Sequence, residues 1–147
     1  MQKLVQITKS PDETIDIACK ISSSIYNPSL IGLTGEIGSG KTVFTKGFAK
    51  GLGVIELINS PTFLGISESF TGRLPFIHMD FYKKVASKEM VEYYLKKRSI
   101  VLIEWVENFS LIFKEKLDLD ICVYIEYLKD QEAVFLENER QITIEYR

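Results

Sequence analysis

The amino-acid sequence predicts an α/β fold in which helices flank a mixed sheet, with a mainly parallel core and an antiparallel margin. Two apolar runs, residues 30–33 and 99–105, are typical of strands that are buried on both faces of a parallel sheet. Residues 117–128 and 141–146 instead alternate polar and apolar side chains, as antiparallel strands with one solvated face do. Residues 1–147 contain no repeat, low-complexity segment or linker, so we expect a single domain.

Composition narrows the class of protein. With 147 residues and 46% hydrophobic content, the chain can bury a core without disulfides or a structural metal. We expect Cys19 and Cys122 to be buried thiols in a reducing compartment, because neither belongs to a zinc-binding pattern of Cys and His. The net charge of −2 provides no protein-wide positive field for a nucleic-acid backbone, so DNA is not an expected partner.

The amino-terminal residues 1–7 predict a short strand. They lack the basic region and the apolar segment of a secretory signal. No apolar run approaches the roughly 18 residues that a membrane-spanning helix needs. We therefore expect a cytoplasmic protein without a membrane partner.

Capping residues place the first helix. Ser10 is a capping residue, Pro11 suits the first helical position, and Glu13 is placed to bond back to the amide of Ser10. Helical spacing of the apolar residues predicts a helix as far as about Ile25, and Asn27-Pro28 ends it.

A hairpin and a third helix are predicted beyond the middle of the chain. Residues 63–70 and 74–79 have β character and are separated by Thr71-Gly72. Residues 87–98 suit a short helix. The basic stretch 83–98 is interpreted as a solvated face, and a docking surface for RNA or an acidic partner is the alternative.

A glycine-rich loop follows the first apolar run and matches the pattern G-x-x-x-x-G-K-S/T. Its residues are Gly35, Glu36, Ile37, Gly38, Ser39, Gly40, Lys41 and Thr42. The amphipathic stretch that follows predicts a helix, and Gly51 or Gly53 is its expected terminator. A strand, a loop of this kind and a helix in succession predict the fold of P-loop NTPases, with ATP bound by the loop.

The loop chemistry assigns roles to its last two residues. The glycines let consecutive amides face one anion, and the helix amino terminus adds its dipole. Lys41 is predicted to bridge the β- and γ-phosphates as a catalytic residue, and Thr42 to place its hydroxyl on Mg²⁺. The alternative, a glycine-rich turn with Lys and Thr by chance, does not explain the flanking strand and helix.

A P-loop site also needs an acid near Mg²⁺, and two residues follow apolar runs. Glu104 is predicted as the metal-side acid because its run is the more apolar, and Asp80 to contact the metal or the attacking water. The alternative for both is an exposed carboxylate at a strand end. His78 is expected to be a buried core residue outside the catalytic set. Trp105 is expected to pack or to face a partner.

Other P-loop activities fit the sequence less well. A GTPase needs an N/T-K-x-D motif for the base, and the sequence has none. A self-sufficient small-molecule kinase needs a substrate-binding insertion and an arginine-bearing lid. The chain has four arginines, Arg73, Arg98, Arg140 and Arg147, so a kinase is the second hypothesis.

Four motifs occur in order along the chain: the loop 35–42 with glycines after it, Ser60-Pro61-Thr62-Phe63, His78-Met79-Asp80-Phe81-Tyr82, and Ile103-Glu104-Trp105 with Glu107. Together they resemble the TsaE family, the bacterial ATPase subunit of the machinery that makes threonylcarbamoyladenosine in tRNA. Lys83, Val106 and Glu36 replace a usual arginine, proline and aspartate, and the segment between Tyr82 and Glu104 is a few residues short.

The resemblance implies slow Mg-ATP hydrolysis and docking onto the TsaB and TsaD proteins, the latter acting on tRNA. It also implies that Ser60 and Thr62 lie in a switch-like loop facing the γ-phosphate. The residues alone also allow a proline-containing turn with local bonds from Ser60 and Thr62. The surface expected to face a partner comprises this loop, Trp105 and the basic stretch 83–98.

Overall fold

The computed structural model describes residues 2–58 and 65–147, in which helices cover a seven-stranded sheet. The elements in chain order are β1 (Gln2–Thr8), α1 (Pro11–Ser23), β2 (Ser29–Gly35), α2 (Lys41–Gly51), β3 (Ile66–Ser69), β4 (Phe76–Asp80), α3 (Lys88–Lys96), β5 (Ile100–Glu104), α4 (Glu107–Phe113), β6 (Ile121–Lys129) and β7 (Phe135–Tyr146).

The sheet has the strand order β1-β7-β6-β2-β5-β4-β3. Strand β2 runs parallel to both of its neighbours, β5 and β6, and β4 runs parallel to β5. The β1·β7, β6·β7 and β3·β4 pairs are antiparallel. This confirms the predicted parallel core and antiparallel margin, with the addition that β6 belongs to both.

The apolar run in β5 is buried on both faces of the sheet. Ile100 and Leu102 pack with Phe44 and Phe48 of α2, whereas Val101 and Ile103 face the opposite layer. In that layer α3 contributes Val91 and α4 contributes Phe109. The alternation has a period of two because successive strand side chains point to opposite faces. The strand that ends at Glu104 is therefore covered by helices on both faces of the sheet.

The predicted cap of α1 forms with one change of partner. Ser10 Oγ accepts a bond from the Glu13 amide at 3.1 Å. The Glu13 carboxylate accepts from the Lys9 amide at 2.6 Å, so the predicted bond to the Ser10 amide is wrong by one residue. Ser10 is fully extended (φ −157°, ψ 160°), and the chain turns into the helix only after it. The helix ends at Ser23, before the predicted end at Ile25.

One helix was not predicted, and two further sequence expectations need correction. Helix α4 was not predicted, because Val106 at its start provides no side-chain cap. Helix α3 is shorter than residues 87–98, although Ser87 caps it by accepting from the Met90 amide at 3.2 Å. Cys19 and Cys122 are partly exposed rather than buried. Partial burial still raises the pKa of the Cys122 thiol.

Helices α1 and α2 pack closely at two glycines of α2. A Cβ on Gly47 would lie 2.7 Å from Ile15 Cα, and a Cβ on Gly51 would overlap Ser22 Oγ. Both neighbours belong to α1, and at Gly47 the obstacle is backbone, which cannot rotate away. The helix that carries the loop at its amino end is thus fixed against α1.

We expect Gly47→Ala to destabilise the fold by about 1–3 kcal/mol, because the added methyl group overpacks this helix contact. The higher helix propensity of alanine opposes the loss by at most about 1 kcal/mol. Urea unfolding measures the difference. Lys46→Ala, at the exposed neighbouring position, is the control and should shift stability by less than about 0.5 kcal/mol. Equal midpoints for Gly47→Ala and the wild type would contradict the close packing.

Candidate functional site

The glycine-rich loop joins the carboxyl end of β2 to the amino end of α2. Gly38 and Gly40 adopt positive φ values of 76° and 113°, which side chains with a Cβ disfavour. Gly40 occupies the N-cap position of α2, where no side chain bonds to the first amides. The helix amino terminus therefore presents amides that suit an anion.

Lys41 is folded back onto this loop. Its Nζ donates to Gly35 O at 2.5 Å and to Glu36 O at 2.9 Å, and it lies 4.0 Å from the centre of the Trp105 ring. The side chain is almost fully buried, and burial lowers the pKa of Lys41. Nearby carboxylates, Glu104 foremost, act in the opposite direction. The ammonium is thus held by carbonyls that a bound phosphate would have to replace.

Glu104 ends β5 beside the loop. Its Oε1 accepts from Thr42 Oγ1 at 3.3 Å, and its Oε2 lies 3.4 Å from Thr45 Oγ1. The acid is buried, so it is not the solvated strand-end carboxylate of the alternative interpretation. Thr42 and Glu104, the two residues that the sequence predicts at the metal, are therefore in contact.

His78 is the site residue that sequence reasoning passed over. Its Nε2 lies 2.5 Å from Glu104 Oε2, and the ring is fully buried, as the sequence predicted. The available signal was its position on a predicted strand, two residues before Asp80. Side chains two residues apart on a strand share a face, so His78 lies on the same face as both acids.

Asp80 lies at the register position opposite Glu104, at the same edge of the sheet. Its Oδ1 accepts from the Tyr82 amide at 2.9 Å. Both acids line a cleft of about 390 Å³ at the loop. The cleft is lined by Ile37, Gly38, Gly40, Lys41, Thr42, Val43, Asp80, Tyr82, Glu104 and Trp105. The structure therefore brings five of the eight predicted loop residues, Lys41 and Thr42 among them, into one cleft with both acids.

Trp105 lines this cleft, and its partner-facing role stays a prediction. The residue has a positive φ of 61°, and its ring lies 4.9 Å from that of Tyr82. Glu107 follows two residues later, and its Oε1 is buried without a hydrogen-bond partner among the described residues. Burial raises the pKa of Glu107. No role was predicted for Glu107 from the sequence, because its environment depends on the unpredicted helix α4.

A second pocket of about 810 Å³ adjoins the loop on the side of β6 and β7. Its walls are Thr34, Gly35, Glu36, Ile37, Trp105, Glu107, Tyr124, Ile125, Glu126, Tyr127, Lys129 and Phe135. Ile37 and Trp105 line both spaces. The predicted switch residues Ser60 and Thr62 lie outside the described residues. The basic stretch 83–98 has exposed lysines, in agreement with a solvated face.

Comparison with known proteins identifies the family. The family model described as "Threonylcarbamoyl adenosine biosynthesis protein TsaE" matches residues 8–145. The chain belongs to the TsaE family. A Bacillus subtilis relative, named as a tRNA threonylcarbamoyladenosine biosynthesis protein TsaE, is 41% identical over 108 residues, which are 71% of this chain and 68% of that protein. The TsaE of Treponema pallidum is 27% identical over 94% of this chain and 97% of its own length.

The fold of this TsaE-family chain also matches a solved structure. The crystal structure of Bacillus subtilis YdiB superposes with a TM-score of 0.75 at 30% identity, covering 97% of this chain and 84% of YdiB. The α/β fold expected from the family resemblance is therefore confirmed. Among the described residues, no helix combines the length and the apolarity needed to cross a membrane.

Proposed function

We propose that this TsaE-family chain binds and slowly hydrolyses Mg-ATP, and that it docks on TsaB and TsaD to support threonylcarbamoyladenosine formation in tRNA. The observation that carries the proposal is the 3.3 Å contact between Thr42, the last loop residue, and the buried Glu104. The names of the family and of its relatives support the place in tRNA modification.

Phosphate binding rests on the loop and on Lys41. The uncapped amino end of α2 offers amides and a favourable dipole to an anion. Lys41 bonds two carbonyls of the same loop, and a γ-phosphate is a stronger acceptor because both partners are then charged. ATP binding would therefore draw the ammonium from these carbonyls to the phosphates.

Magnesium fits the donor set at the edge of the cleft. Thr42 and Glu104 present a hydroxyl and a carboxylate, which are hard oxygen ligands. In nucleotide sites Mg²⁺ takes few protein ligands, and phosphates and water complete its shell. The ion would neutralise charge that develops on the phosphate oxygens.

Two neighbouring side chains orient Glu104. His78 and Thr45 bond its Oε2, which leaves Oε1 directed to Thr42. Asp80, opposite Glu104 in the sheet register, would orient water or a metal-bound water. In this proposal Glu104 acts on the metal and Asp80 acts on water.

The side chains that line the cleft support a dependence of ATP turnover on a partner protein. Its described lining contains Lys41 but no arginine. Arg73 donates to backbone carbonyls away from the cleft, and Arg140 donates to a carbonyl on the outer side of the loop. A phosphoryl-transfer site without a second cation stabilises its transition state weakly. We therefore expect slow turnover until a partner protein completes the site.

Nucleotide binding should change the fluorescence of Trp105, the one tryptophan of the 147 residues. Its ring contacts Lys41 Nζ, and phosphate binding would remove the cation from the ring face. We expect saturating Mg-ATP to change the emission intensity, and adenosine, which has no phosphate, to leave it unchanged. An unchanged spectrum under conditions in which calorimetry shows bound ATP would contradict this role of Trp105.

Copurification tests the proposed partners. Tagged wild-type chain is mixed with TsaB and TsaD, with and without ATP, and the retained proteins are quantified. We expect retention of both to depend on ATP. The variant Lys41→Ala is the matched control, since its surface is unchanged outside the cleft. Retention of neither protein in either condition would contradict the docking proposal.

A further inference from the structure

Two side chains from the antiparallel margin hold the outer side of the phosphate-binding loop. Tyr127 Oη donates to Ile37 O at 2.9 Å. Arg140 Nε donates to Ser39 O at 2.9 Å, and its Nη2 lies 3.5 Å from Gly38 O. Three consecutive carbonyls of the loop are thus engaged from β6 and β7, about ninety to a hundred residues further along the chain.

Tyr127 and Arg140 form one unit. They are register partners across the β6·β7 pair, next to a register shift in β6. The guanidinium lies 4.3 Å from the centre of the tyrosine ring. Arg140 Nη1 also donates to Glu137 O at 2.8 Å and to Glu139 O at 2.9 Å. The guanidinium is therefore fixed to its own strand while it bonds the loop.

Holding these carbonyls sets the direction of the amides that follow them. The peptide group is planar and trans, so a C=O that points outward turns the next N–H to the opposite side. The amides after Ile37 and Ser39 belong to Gly38 and Gly40, which line the 390 Å³ cleft. These glycines have positive φ values and little intrinsic preference for one conformation. External bonds would therefore keep their amides oriented before an anion arrives.

We propose that Tyr127 and Arg140 are positioning residues that keep the loop in its phosphate-binding conformation. Neither side chain lines the cleft with Lys41 and Thr42. The inference rests on the proposed binding of ATP phosphates by this loop. Affinity for the phosphate chain, with or without a nucleoside, depends on these two residues of the antiparallel margin.

Arg73 provides a matched control at the other end of α2. It donates to the carbonyls of Ile25 and Gly51 at 2.8 Å each and also to Ser22 O. Its guanidinium lies 4.6 Å from the centre of the Tyr26 ring. Arg73 thus makes the same kinds of contact as Arg140, but it holds helix ends instead of the loop.

The experiment titrates Mg-ATP and inorganic tripolyphosphate into the wild type, Arg140→Gln, Arg140→Lys, Tyr127→Phe and Arg73→Gln. We expect Arg140→Gln to weaken both ligands by the same factor, about tenfold, and Tyr127→Phe to weaken both by about threefold to tenfold, as for lost hydrogen bonds. Arg140→Lys should recover part of the loss because one charged donor remains. Arg73→Gln should lower the urea midpoint and leave both affinities unchanged.

The other outcomes contradict either the inference or the proposed function on which it rests. If Arg140→Gln and Tyr127→Phe weaken ATP but not tripolyphosphate, the pair contacts the nucleoside directly and does not position the loop. If Arg73→Gln weakens both ligands equally, general loss of stability explains the effect. If Arg140→Gln does not fold, unchanged tripolyphosphate affinity of Tyr127→Phe decides against the proposal. Failure of the wild type to bind either ligand would instead contradict the proposed function.

Discussion

Replacing Glu104 with glutamine should lower ATP turnover by about a hundredfold or more, the usual cost of removing one electrostatic contact to a transition state. Glutamine keeps the size of the side chain but removes the charge beside Thr42. A group that acts on the metal and on developing charge contributes more to the transition state than to the bound substrate. Steady-state hydrolysis and calorimetry, measured on the same variant, separate the two effects.

The matched control for this variant is Glu68→Gln. Glu68 is an exposed acid of β3 that bonds Tyr94 Oη at 2.8 Å, away from the cleft. Its replacement should leave turnover unchanged. Asp80→Asn should also slow hydrolysis, with a smaller loss of affinity than of rate. If neither Glu104→Gln nor Asp80→Asn slows turnover, the two acids have structural roles only.

Replacing Lys41 with alanine should weaken Mg-ATP binding by about tenfold to a hundredfold, which corresponds to a charge-assisted contact of roughly 1.5–3 kcal/mol. Lys41 Nζ lies in the loop within hydrogen-bond reach of Gly35 O and Glu36 O. The ammonium is thus already at the binding loop, and little chain movement is needed to reach a phosphate. Calorimetric titration of the variant measures the loss.

Lys50→Ala is the control for Lys41→Ala, because Lys50 is an exposed lysine in the last turn of the same helix. It should bind ATP as the wild type does. Equal affinity of Lys41→Ala and Lys50→Ala would exclude Lys41 from the phosphate site. Equal wild-type affinity for GTP and ATP would reopen the GTPase alternative.

Local patterns predicted the elements that carry their own signals. The run Ile100–Ile103 is buried on both faces, so its lack of polar residues identified it as a central strand. Ser10 predicted the start of α1 because it does cap that helix. Helix α4 begins at Glu107, and Val106 before it provides no side-chain cap that would mark its start. The start of a helix that tertiary packing determines cannot be predicted from a local capping residue.

The sequence predicted the site residues that belong to motifs. It did not predict the contacts that depend on which strands are neighbours in the sheet. Lys41, Thr42, Asp80 and Glu104 lie in one cleft, as their motifs implied, and their roles remain predictions. His78 meets Glu104 only because β4 and β5 are adjacent. Tyr127 and Arg140 reach the loop from β6 and β7, across a separation of about a hundred residues. No local pattern contains such contacts.

The most direct test of the account compares ATP turnover of the chain alone, with a panel of small metabolites, and with TsaB, TsaD and tRNA, while modified adenosine in the tRNA is quantified. Alone, we predict turnover below about 1 per second, the low end for ordinary enzymes. The proteins and tRNA should raise turnover, and the modification should require an intact Lys41. Fast turnover with a metabolite, together with no response to TsaB, TsaD and tRNA, would contradict the account and indicate a self-sufficient kinase.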